Sequence, residues 1–169
     1  MVNAELEQLA AEVGQALKRA QCLLVTAESC TGGWVGEVVT AIAGSSKWFD
    51  RGFITYSNAA KRETLGVASA TLNRHGAVSE ETAREMASGA LKFSRSQIAV
   101  AITGVAGPDG GSADKPVGTV CFAWARSNVA LQSVTHLLGG DRTQVRQQSV
   151  AIALRGILKI LSEEQTAIA

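Results

Sequence analysis

Histidine is nearly absent from this chain. His75 and His136 are the only two among 169 residues, and neither sits in an H-x-x-x-H or H-x-E pattern. That scarcity disfavours both metal catalysis and a Ser-His-Asp triad, because each relies on imidazoles at the reacting centre. Cysteine is scarce as well. Cys22, Cys30 and Cys121 are odd in number and lack C-x-x-C spacing, so neither a disulfide framework nor a structural zinc site is indicated. The formal net charge is +1 and no run of like charges occurs, which leaves no electrostatic footprint for nucleic acid or an anionic membrane. No segment approaches the roughly 20 apolar residues of a membrane span, and the acidic, amphipathic start M-V-N-A-E-L-E-Q-L-A is unlike a signal peptide. These absences describe a cytoplasmic protein with no metal, no cofactor, no nucleic acid and no membrane among its partners.

What is present is a core. With 46% apolar and 18% charged residues, the chain suits one compact domain over residues 1–165. Leu6, Leu9, Val13 and Leu17 recur at helical spacing and predict a helix over about 3–20, feeding an apolar strand at Cys22 to Ala27. The polar turn Glu28 to Gly33 then opens a helix at roughly 32–42. A strand follows at about 51–57, with Asn58 as N-cap of a short helix carrying Lys61. Ser79, followed by Glu80 and Glu81, starts another helix with Ala83, Met86, Ala90 and Phe93 on one face. Ile98 to Ile102 is a fully apolar strand. Val117 to Ala125 and Val129 to Leu138 form a hairpin, and Asp141 caps a last helix, with a loose tail after Ser162. The order α-β-α-β-α-α-β-β-β-α is not a strict βαβ alternation, and it predicts an α/β fold: a three-layer α/β/α sandwich around a mixed sheet.

Both prolines and five glycines fall in one stretch, Thr103 to Gly118. Such density marks a shaped loop whose main-chain amides can approach a ligand closely or cradle an oxyanion; an ordinary surface turn is the plainer alternative. Two other polar clusters lie where strands meet loops: Glu28-Ser29-Cys30-Thr31-Gly32-Gly33, and Gly44-Ser45-Ser46 together with Tyr56-Ser57-Asn58 and Lys61.

In these clusters the sequence resembles the C-terminal domain of the competence-damage-inducible CinA proteins. The resemblance runs through T-A-E-S-C-T-G-G-W, I-A-G-S-S-K-W-F, G-F-I-T-Y-S-N-A-A-K, L-G-V, H-G-A-V-S-E, T-G-V-A-G-P-D-G-G, K-P-V-G-T-V and G-D-R-T-Q-V-R, in family order and over nearly the whole chain. It implies a metal-independent amidase that hydrolyses the carboxamide of nicotinamide mononucleotide to nicotinate mononucleotide and ammonia, in pyridine nucleotide salvage. It also implies a serine amidohydrolase with a lysine base, and carries the functional positions onto Ser46, Lys61, Tyr56 and Ser29.

A serine hydroxyl needs a neighbour to take its proton, and a lysine kept neutral by burial or nearby positive charge can do so. Lys61 fills that role here, with Ser46 read as nucleophile and Ser29 as oxyanion donor or proton relay; the exchange of the two serines stays open. Cys30 is a third nucleophile to weigh, as a thiolate at a helix N-terminus or as a buried packing residue. The pyridinium of the substrate would itself favour a neutral Lys61. Arg142 and Arg146, one helical turn apart, offer a fork for the 5′-phosphate. Thr103, Gly104 and Gly107 of the Gly-rich loop shape the nicotinamide and ribose end, Thr31 and Gly32 are further substrate-binding positions, and Trp48 either stacks on the pyridinium or anchors the core or an interface. Trp48 and Phe49, read as exposed, suit a homodimer or higher homo-oligomer interface beside the site. The competing reading is a non-catalytic nucleotide-binding or competence-associated interaction module, since family membership alone does not fix activity. Metal-dependent pyrophosphate cleavage, a third, belongs to another domain of the fused proteins in the family.

Overall fold

The structure, a computed structural model, describes residues 4–167, with side chains to Glu163. Helix α1 (Ala4–Ala20) buries Leu6, Ala10, Val13 and Leu17, and its early glutamates and late Lys18 and Arg19 complement its dipole. Strand β1 (Leu24–Glu28) is buried along its whole length. Helix α2 (Trp34–Thr40), a 3₁₀ turn (Ser45–Lys47) and strand β2 (Phe49–Ile54) follow. Helices α3 (Asn58–Leu65), α4 (Ser69–His75) and α5 (Glu80–Lys92) then lead to strands β3 (Ile98–Gly104), β4 (Thr119–Arg126) and β5 (Gln132–Leu137), and to helix α6 (Arg142–Ala167).

The five strands order as β2-β1-β3-β4-β5, with β2, β1 and β3 parallel, β4 antiparallel to β3, and β5 antiparallel to β4. The sheet is therefore mixed, as expected. Its two faces differ in bulk because the period-2 alternation of β3 and β4 sets large residues against small ones. Ile98, Val100, Ile102, Val120, Phe122 and Trp124 point to the layer of α1, α2 and α6. Ala99, Ala101, Cys121, Ala123 and Ala125 point to the layer of α3, α4 and α5. The alanine face lets α5 approach closely, and Gly89 of α5 sits so tight on α3 that a Cβ there would meet the Leu65 carbonyl at 1.9 Å.

Local differences from the sequence reading have local causes. Ser57, not Asn58, caps α3, its hydroxyl accepting the Ala60 amide. Helix α4 carries one buried apolar residue, Leu72, too little periodicity to announce itself. The tail expected after Ser162 continues α6 to Ala167, and the last two residues lie outside the described residues. Asp141 does cap α6, in a reciprocal box with Gln144. Of the three places weighed for Trp48, against substrate, at an interface or in the core, the structure gives the core: it is fully buried, with its ring over Gly14 of α1, while Phe49 is half-buried.

Strand direction decides what meets. The loops after β1, β2 and β3 leave from one edge of the sheet, and β5, antiparallel to β4 and so running with β3, returns the chain to that same edge for the start of α6. Among the described residues no helix is long and apolar enough to cross a membrane.

Candidate active site

At that edge lies a cavity of about 290 Å³. Ser29 and Cys30 come to it from the loop after β1, and Tyr56, Asn58 and Lys61 from the loop after β2 and the start of α3. Thr103 to Gly107 and Asp109 to Gly111 come from the end of β3 and its loop, and Arg142 from the start of α6. Lys61 is 1% exposed, and its Nζ lies 3.0 Å from the Ser29 hydroxyl and 2.8 Å from the Thr55 carbonyl oxygen. Burial without a carboxylate partner among the described residues holds its pKa below the ordinary lysine value. A buried amine beside a buried hydroxyl is a proton acceptor next to its proton.

Ser46 is elsewhere. It sits exposed on the 3₁₀ turn before β2, whose first residues pair with Leu24 at the start of β1, whereas Ser29 follows the end of β1. Five strand residues separate the two edges, about 16 Å at the usual rise of 3.3 Å per residue. The expected pairing of Ser46 with Lys61 is corrected accordingly: the structure brings Ser29, not Ser46, to the lysine.

Arg142 stands at the cavity, donating from Nη1 to the Gly107 carbonyl at 2.7 Å and from Nη2 to the Tyr56 hydroxyl at 3.0 Å. It thereby ties the Gly-rich loop to the loop after β2, and Tyr56, 64% exposed, serves as its acceptor. The expected fork with Arg146 does not form. Arg146 instead donates to the carbonyls of Cys30 at 3.1 Å and Thr31 at 3.0 Å, stacks 5.2 Å from the Trp34 ring, and lines a separate depression with Gly32 and Gly33. Thr31 is likewise redirected, since its buried hydroxyl donates to Glu28 Oε2 at 2.6 Å. Gly32 lines that separate depression, not the cavity. Thr103 does line the cavity, with its hydroxyl donating to the Ala77 carbonyl. Gly104 and Gly107 line it too, and at Gly107 a φ of +80° and the nearby Val117 side chain exclude any other residue without strain. Burial, with the Glu28 charge adding to it, pushes the Cys30 thiol up to about 11, so at neutral pH it is not the thiolate a cysteine mechanism needs.

Residues 6–161 match the CinA C-terminal domain model. The chain belongs to that family. A nicotinamide-nucleotide amidohydrolase PncC of Escherichia coli strain K12 is 56% identical over 155 residues, covering 92% of this chain and 94% of that protein. The protein of the same name from Pseudomonas putida is 46% identical, covering 92% and 96%. Among solved structures, the competence/damage inducible protein CihA from Agrobacterium tumefaciens superposes with a TM-score of 0.92 at 45% identity, covering 96% of this chain and 98% of that one.

Within this CinA domain the sequence reading placed Glu28 in a polar cluster but gave it no role. It is 1% exposed at the end of β1, and its carboxylate accepts the amides of Gly33, Val35 and Gly36 as well as the Thr31 hydroxyl. The signal was there: a charged residue closing an otherwise uncharged buried strand, directly before Ser29.

Proposed function

We propose that this chain is an amidohydrolase of nicotinamide nucleotides, converting nicotinamide mononucleotide to nicotinate mononucleotide and ammonia. One observation carries the chemistry: the buried Lys61 amine 3.0 Å from the Ser29 hydroxyl, in a cavity roofed by the Gly-rich loop. The substrate class rests on relatives 46% to 56% identical that are named nicotinamide-nucleotide amidohydrolase.

In the reaction Ser29 Oγ attacks the carboxamide carbon while neutral Lys61 takes the hydroxyl proton, the Thr55 carbonyl holding the amine in place. The tetrahedral oxyanion needs amide donors. Glu28 already occupies the first-turn amides of α2, whereas the Cys30 amide, next to the nucleophile, meets no main-chain or side-chain oxygen among the described residues and is the donor at hand. Lys61 then hands its proton to the departing nitrogen, which leaves as ammonia. A water, deprotonated by the same amine, opens the acyl ester to nicotinate mononucleotide and restores Ser29. Arg142 has five N–H groups and gives two to Gly107 and Tyr56, so three remain for the 5′-phosphate at the mouth. Asp109, the one carboxylate lining the cavity among the described residues, supplies a counter-charge for the pyridinium.

No step calls on a metal, and among the described residues no three His, Cys, Asp or Glu side chains gather as ligands. The test is ammonia release from nicotinamide mononucleotide, nicotinamide riboside and nicotinamide, with and without a chelator. Release from the mononucleotide that a chelator leaves intact is expected. Binding of the mononucleotide without release would make the chain a non-catalytic binding module, and a chelator-sensitive rate restored by a divalent cation would replace the mechanism.

A further inference from the structure

The Ser29 turn is held by two charges of opposite sign that act on its main chain. Residues 29–33 must leave a fully buried strand, place a hydroxyl on Lys61, and enter α2 through two consecutive glycines at φ +60° and +95°. Nothing in those five residues is stiff by itself, since left-handed glycines gain their shape from what surrounds them. The Glu28 carboxylate lies within 3.0 Å of the Gly33 amide, 3.1 Å of the Val35 amide and 3.0 Å of the Gly36 amide, and takes the Thr31 hydroxyl at 2.6 Å. The Arg146 guanidinium, reaching across from α6, takes the carbonyls of Cys30 and Thr31 and is backed by the Trp34 ring. An anion thus collects the N–H groups of Gly33 and the first turn of α2, a cation collects the C=O groups of Cys30 and Thr31, and neither side chain lines the cavity that holds Ser29 and Lys61.

We propose that Glu28 and Arg146 are a positioning pair: together they fix the backbone on either side of Ser29 so that its hydroxyl stays in line with the Lys61 amine. The proposal rests on Ser29 as nucleophile. It differs from simple structural support, because a misplaced nucleophile slows chemistry while leaving the substrate's own contacts in the cavity untouched.

The test compares wild type, Glu28→Gln, Arg146→Ala and the double variant by three readouts: thermal unfolding, kcat and KM for nicotinamide mononucleotide, and the rate at which phenylmethylsulfonyl fluoride adds mass at Ser29. In folded Glu28→Gln and Arg146→Ala, kcat should fall on the order of 10²-fold with KM nearly constant, and sulfonylation of Ser29 should slow in parallel. The double variant should lose less than the product of the two single losses, because both side chains hold one turn. Should Glu28→Gln fail to fold, Arg146→Ala carries the test alone. A kcat within about twofold of wild type in the folded variants, or equal sulfonylation rates in all of them, would overturn the pair. If wild-type Ser29 resists the reagent and Ser29→Ala keeps its turnover, the nucleophile assignment itself falls and takes the pair with it, an outcome distinct from the first.

Discussion

The turn after β1 and the turn before β2 both set serine beside glycine, as E-S-C-T-G-G and A-G-S-S-K, and they lie at opposite edges of one sheet. The first buries Glu28, Ser29, Cys30 and Thr31, is held by Glu28 and Arg146, and touches a buried lysine. The second puts Ser46 in solvent and uses its neighbour Trp48 to plug the space over Gly14. The difference is one of surroundings: on the proposed mechanism a serine serves as nucleophile where it has a base in contact and a fixed backbone. A glycine-serine turn without those two is a connection between elements.

The largest effect that sharpens this contrast is at the base. Lys61→Ala should lower kcat about 10²- to 10⁴-fold, the span for loss of a general base, with the fold retained in a thermal melt. The wild-type rate should rise with pH as Lys61 loses its proton, with the midpoint below the ordinary lysine range because burial disfavours the ammonium. A midpoint at or above that range would remove Lys61 as the base.

A smaller effect separates binding from chemistry. Arg142→Ala should raise KM for the mononucleotide by about tenfold or more, from a charge-assisted contact of about 1.5–3 kcal/mol, and should leave nicotinamide riboside much less affected. Equal losses for both substrates would make Arg142 only the tie between the Tyr56 loop and Gly107. Smaller still is the expected effect of Cys30→Ala, which keeps the backbone amide and removes a thiol that burial holds protonated. Turnover should stay within the same order of magnitude, and a total loss in folded protein would reinstate the sulfur as nucleophile.

The long elements were legible because each carries its own pattern. Helix α1 repeats Leu6, Val13 and Leu17 toward one face, and α5 opens with the Ser79 cap. The mixed sheet was legible in the hairpin after the apolar run at Ile98. The cavity was legible as a set of clusters, and Ser29, Lys61, Thr103 and Arg142 do meet there. The place of Ser46 was misread although strand direction contains it: a residue before β2 cannot share an edge with Lys61, which follows β2. Thr31 and Arg146 were misread for another reason. A polar side chain in a glycine-rich turn serves the main chain as readily as a ligand, and only the buried Glu28 beneath it settles which.

The most direct test of that comparison is ammonia release from nicotinamide mononucleotide by Ser29→Ala and Ser46→Ala, each confirmed folded by its melt. Ser29→Ala should lose about 10³-fold or more in kcat, while Ser46→Ala, an exposed change far from the cavity, should turn over like wild type and melt within about 0.5 kcal/mol of it. The reverse result, activity lost with Ser46 and kept without Ser29, would contradict the account at its centre.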